Sequence, residues 1–175
     1  MRTASVLAIA VGALALGGVA LAAQDRFTVT TPGGGLSFAE FKGYETWNYI
    51  AVSQVKEGLK VIAGNPKMMA AYRSGAPADG KLFPDGSKAV KIEWSARKMA
   101  ASPYFAMEPD KLMSVSFVMK DLKRFPKTHG WAYAQFLYDP ATDSFKAGVT
   151  GPECGYACHT VVASKDYIFT GYPKR

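Results

Sequence analysis

The chain has 175 residues, of which 49% are hydrophobic and 20% charged, with a formal net charge of +7 and only two cysteines. These figures exclude a disordered, collagen-like or disulfide-dense chain and leave room for one domain with a real core. The basic balance suits an acidic partner, whereas no recognisable nucleic-acid-binding motif is present, so nucleic acid is not expected as a partner.

Met1-Arg2-Thr3 precedes an uncharged apolar run from Ala4 to Ala23, with Ala20-Leu21-Ala22 near its end. A basic start, an apolar middle and a small-x-small exit predict a signal peptide over residues 1–23, cleaved after Ala22 or Ala23. Left uncleaved, the same run is long enough to anchor the chain in a membrane. Cleavage implies a periplasmic protein of about 150 residues, with 20 basic against 14 acidic residues once Arg2 is removed. Residues 24–36, which contain Thr30-Thr31-Pro32-Gly33-Gly34-Gly35, read as a flexible lead-in, and 37–175 as one domain.

Phe38 to Phe41 suits a short helix capped by Ser37. Trp47 to Val55, rich in β-branched and aromatic residues, predicts a strand. A second apolar run from Leu59 to Ala63 stops at Gly64-Asn65, and Pro66 opens a helix over Lys67 to Arg73. Ser74 to Gly86 is a loop. Ala89 to Ser95 alternates as a strand, with Val90, Ile92 and Trp94 on one face and Ala89, Lys91 and Glu93 on the other. Arg97 to Asp110, holding Pro103 and Pro109, reads as irregular. Leu112 to Lys120 is the clearest strand, with Met113, Val115, Phe117 and Met119 as its apolar face. Gly130 to Tyr138 is a second long strand, and Asp139 to Asp143 turns into a short strand near Phe145. The linker from Asp121 to His129 is too short for a helical crossover, so the two long strands pair antiparallel. The basic residues Lys120, Lys123, Arg124 and Lys127, at and just after the end of the first of these strands, read most simply as a solvated loop, or as a docking patch for an acidic redox partner. The fold class is α+β: a mainly antiparallel sheet with a few short helices.

Cys154-Gly155-Tyr156-Ala157-Cys158-His159 holds both cysteines and one of the two histidines. Two thiols followed by an imidazole are what covalent haem attachment uses: each sulfur adds to a vinyl group, and the His offers a ring nitrogen to iron. The common spacing has two residues between the cysteines; here there are three. A Cys154–Cys158 disulfide is the main alternative. Zinc would lack a fourth ligand, and a thioredoxin-like pair would want a two-residue spacer and a βαβ setting. A disulfide has no use for the adjacent His159.

Several stretches taken in order resemble the cytochrome P-460 family, which includes the cytochrome c′-beta proteins. They are Phe83-Pro84-Asp85-Gly86 with Val90-Lys91, Met119-Lys120-Asp121 with Arg124-Phe125, Trp131-Ala132-Tyr133 and Phe136-Leu137-Tyr138. Glu153-Cys154 through Cys158-His159 and Lys165-Asp166-Tyr167-Ile168-Phe169-Thr170 complete the series. The resemblance implies an antiparallel sheet, a homodimer, and haem c bound at Cys154 and Cys158 with a five-coordinate iron on His159. In the enzymes of that family a lysine is also bonded to the haem, and the matching position is Lys91, with Lys88 its nearest competitor. At the position of the distal carboxylate of hydroxylamine-oxidising members this chain has Ser116, which leaves Asp121 or Glu93 as the candidate catalytic carboxylate.

Three functions follow from the resemblance. One is hydroxylamine oxidation, with Lys91 and Asp121 as catalytic candidates and electrons leaving to a periplasmic redox partner. Another is nitric-oxide binding without turnover, and the last is simple electron transfer, which wants a sixth ligand. His129 reads as exposed rather than as that ligand. Met113 and Met119 look like core, Met99 and Met107 lie in loops, and Phe83, Trp131 or Tyr133 would line an open distal side.

Overall fold

The computed structural model describes residues 24–33, 35–56, 58–148 and 152–175; the expected signal peptide lies outside the described residues. Six strands follow one another in a simple meander, each antiparallel to the next: β1 (Asn48–Val55), β2 (Gly58–Gly64), β3 (Lys88–Lys98), β4 (Met107–Lys120), β5 (Trp131–Asp139) and β6 (Ser144–Ala147). Helix α1 (Pro66–Arg73) joins β2 to β3, and α2 (Pro152–His159) follows β6. This is the expected α+β fold.

Alternation along the strands builds two cores, one on each face of the sheet. On the first, Val90, Val115, Phe117, Ala134 and Phe136 meet the N-terminal segment, where Phe41 stacks on Phe117 at 4.1 Å and 13°. Ser37 caps that segment's helical turn, Phe38–Phe41, through a capping box with Glu40. The lead-in expected over 24–36 is anchored: Thr30 bridges Ser37, and Leu36 is fully buried. On the second face, Ala89, Trp131 and Tyr133 pack with Met68, Met69 and Tyr72 of α1, and with Ile168 of the C-terminal segment. Asn65 caps α1 by accepting from Met68 N, and Pro66 takes the first helical position, where a missing N–H is harmless.

Three expectations change. Arg97 to Asp110 is not irregular throughout, because β3 runs on to Lys98 and β4 starts at Met107. This ribbon outruns its pairing with β2, which stops at Ser95, and with β5, which stops at Ser114. Pro109 therefore sits where no second neighbour needs its N–H. For the same reason Met113 is half exposed rather than core. Lys120 is no part of a solvated loop: it is 3% exposed and its Nζ donates to Asp166 Oδ2 at 2.7 Å.

Asp166 is itself 3% exposed. Besides Lys120 it accepts from Phe83 N at 2.8 Å and from Trp131 Nε1 at 3.1 Å. The Lys120 ammonium also lies 5.2 Å from the centre of the Trp131 ring. The Asp85-Gly86 turn joins the same junction: Gly86 has φ +82°, its N–H donates to the Lys120 carbonyl, and Asp85 accepts from Leu122 N. Removing one member of a buried pair strands the other, which costs about 3–5 kcal/mol. Lys120→Met and Asp166→Asn should each lower the free energy of urea unfolding by that order; a change below 1 kcal/mol in both, roughly the cost of an exposed pair, would refute the anchor.

Candidate functional site

Helix α2 presses on β5 because residue 155 is glycine. A Cβ at that position would fall well inside contact distance of Tyr133 Cβ. The close approach brings the ring of His159, the last residue of α2, to 4.3 Å from the Tyr133 ring and 4.8 Å from Phe169. Its Nδ1 lies 2.6 Å from the Tyr167 carbonyl oxygen. A carbonyl only accepts, so Nδ1 carries the hydrogen and Nε2 keeps its lone pair. Burial lowers the pKa of His159 below the usual value, opposed by the Tyr167 carbonyl and aided by the charge of Lys91. The ring is therefore neutral at pH 7, the form that binds a metal.

The Tyr167 carbonyl is in place because Asp166 and Tyr167 both adopt left-handed backbone, φ +49° and +61°. Such residues each cost about 1–3 kcal/mol and persist only when their surroundings over-determine them. The three hydrogen bonds to Asp166 do so here. Tyr72 adds a bond from its hydroxyl to the Thr170 carbonyl at 2.7 Å, fixing the far end of the segment.

Between the second sheet face, α1, α2 and this segment lies a cavity of about 350 Å³, lined in part by His159, Gly155, Tyr133, Lys91, Ser116 and Gln135. Its floor follows from strand register. Ile62, Lys91, Ser116 and Gln135 are consecutive cross-strand partners on β2, β3, β4 and β5, so they form one row on one face. Lys91 pairs with Glu93 at 3.7 Å, and Glu93 also pairs with Lys60 at 3.3 Å. Lys88 is three residues away on the opposite face, donating to the Glu40 carbonyl at 2.6 Å beneath the Phe41 ring. Of the two lysines, Lys91 is the one on the cavity wall.

The remaining candidates divide. Asp121 accepts from Lys123 N and Arg124 N, capping the turn after β4, and is not among the cavity's lining residues. Tyr133 lines the cavity, whereas Phe83 and Trp131 are buried behind it. His129 is exposed and stacks on Tyr167 at 5.0 Å. Met119 is core; Met107 opens β4 instead of lying in a loop. Cys154 and Cys158 both fall on α2, and Cys158 is an exposed free thiol. Among the contributors that the sequence does not signal as such are Met68 and Asp166. Met68 lies on the cavity wall, signalled only by its place on the buried side of α1. Asp166 had a signal in the Lys165-Asp166-Tyr167 stretch but no local sign of burial.

A family model described as cytochrome P460 matches residues 41–170. The chain belongs to the cytochrome P460 family. Membership makes it a haem-binding cytochrome, and the site suits that group. A neutral imidazole with Nδ1 fixed and Nε2 available borders a cavity within the range of about 300–1,000 Å³ usual for ligand sites, beside a free thiol. No curated protein matches the chain. The fit depends on the approach of α2 to β5. Gly155→Ala should cost about 1–3 kcal/mol in unfolding and lower the haem-to-protein ratio of the purified product; an unchanged ratio and stability would show that the approach is not needed.

Proposed function

We propose that this chain is an exported, periplasmic c-type cytochrome that oxidises hydroxylamine. In this reading Cys154 and Cys158 would hold the haem through their sulfurs and His159 would offer its Nε2 to the iron, with small nitrogen species as the ligands or substrates. The protein is a homodimer and delivers electrons to a periplasmic carrier. The observation that supports the reading is the meeting of Lys91 with His159 around one cavity, with Lys88 turned away. When bound, haem supplies an electron-accepting iron.

The chain's own residues then do the rest. The Tyr167 carbonyl holds the imidazole in one orientation and tautomer. Lys91, on the cavity wall, would be the residue that contacts the porphyrin through its amine. Hydroxylamine must lose protons as it loses electrons, which calls for a base near the substrate. Ser116 on the cavity wall can exchange a hydrogen bond but is no base at neutral pH. Glu93, two residues from Lys91 on β3 and outside the cavity lining, is the carboxylate paired with it; a Lys91 consumed in a cross-link would cease to pair with it, leaving Lys60 as its ion-pair partner.

A second reading is nitric-oxide binding without turnover. It is favoured by one specific observation: no aspartate or glutamate is among the described residues that line the cavity. Three measurements separate these outcomes. The ferrous protein should show the broad spectrum of an open iron site, and sharp low-spin bands would exclude it. Proteolysis should give haem joined to both the Cys154–Cys158 peptide and the Lys91 peptide, with only the first in Lys91→Ala. Hydroxylamine with an electron acceptor should turn over, falling about 10–100-fold in Lys91→Ala; no turnover together with tight nitric-oxide binding would leave only the second reading.

A further inference from the structure

The loop between β4 and β5 touches α2 by way of its short helical turn, Pro126–Thr128. His129 follows that turn with φ +53°, a conformation that leaves its ring exposed on the surface. The ring does not stand alone. It stacks on Tyr167 at 5.0 Å and 21° and on Tyr156 at 6.2 Å and 29°, and the two tyrosines are 5.0 Å apart. The Tyr167 hydroxyl donates a hydrogen bond to Tyr156, which pushes its pKa up to about 12. Tyr156 is one of the three residues between the cysteines, and the Tyr167 carbonyl is the group that holds His159. A continuous set of π-systems and one short hydrogen bond therefore leads from the His159 imidazole to solvent.

The surface around its outer end is built for contact. Leu122 is half exposed and lies against Gly130, beside His129, so the centre is uncharged. Lys123 follows Leu122 in the chain, Lys127 lies two residues before His129, and Lys165 two before Tyr167; all three are exposed and form none of the ion pairs found among the described residues. Arg124 is already paired with Glu40, and Asp121 is occupied as a cap. Glu153, exposed on the first turn of α2, is the opposing charge nearby. An uncharged centre with a basic rim on a chain of net charge +7 fits an acidic partner.

We infer that the His129–Leu122 surface, rimmed by Lys123, Lys127 and Lys165, is the docking site for an acidic electron-carrier protein, with the Tyr156–Tyr167–His129 stack as the exit route. The inference rests on the redox reading above. One electron crosses per encounter: the reduced haem is oxidised by one and the oxidised carrier is reduced by one, with no proton required. The stack shortens the gap between the two centres, and the lysines orient the encounter.

The test uses the haem-loaded protein and an acidic blue-copper protein as probe, with a basic cytochrome c as the charge-reversed control. Affinity for the probe, read by chemical-shift titration at low ionic strength, should weaken at least about tenfold in Lys123→Glu/Lys127→Glu. The second-order electron-transfer rate should fall by a similar factor and lose its dependence on salt, while the basic control gains. His129→Ala should slow electron transfer within the preformed complex, measured at saturating probe so that any change in affinity does not enter. Oxidation of the reduced haem by a small neutral quinone should be the same in all variants. If quinone fails to oxidise even the parent protein, the redox reading falls. If quinone oxidises it but charge reversal changes neither affinity nor rate, the docking surface is wrong.

Discussion

A single buried carboxylate holds this architecture at its functional end. Asp166 gathers an ammonium, an indole N–H and a backbone N–H from three distant parts of the chain: β4, β5 and the segment before β3. The ammonium and indole that it binds also lie against each other. A charge so deeply placed is tolerable only because every neighbour is a donor. The arrangement fixes a two-residue left-handed turn, which presents a carbonyl to His159. The orientation of the His159 imidazole is thus set by an ion pair that does not touch it.

Sheet register supplies the other half of the site. One face of a strand is reached only by every second residue, so the choice between Lys88 and Lys91 is a matter of parity. Lys88 packs over an aromatic ring in one core, while Lys91 reaches the cavity in the other. Ser116 and Gln135 join Lys91 by the same rule, as its partners across two further strands. No loop is involved in that row, so it has the rigidity of the sheet itself.

The sequence was most readable where chemistry is contiguous or periodic. Cys154, Cys158 and His159 lie within five residues, and Val115, Phe117 and Met119 alternate cleanly. It misled where a residue's fate is decided by something far along the chain. Lys120 looked solvated among other basic residues, because its partner is 46 positions away. Met113 continues an apolar stripe, yet the pairing of β5 with β4 stops at Ser114, before reaching it. Pro109 argued against a strand that exists because one side of β4 is unpartnered there. Asp121 looked available, but the turn it starts needs a cap. In each case local propensity was outvoted by tertiary placement.

Helical periodicity gives the extra residue between the cysteines a simple meaning. At 100° per residue, positions 154 and 158 differ by only about 40° around the axis of α2. Gly155, Tyr156 and His159 fall together on another sector of the cylinder, the one turned toward β5 and Tyr167. The lengthened spacer therefore keeps the sulfur-bearing positions azimuthally aligned, one turn apart, at the border of the docked side of the helix. Deleting one residue would swing the second of them about 100° about that axis and pull the imidazole out of phase with the carbonyl that receives it.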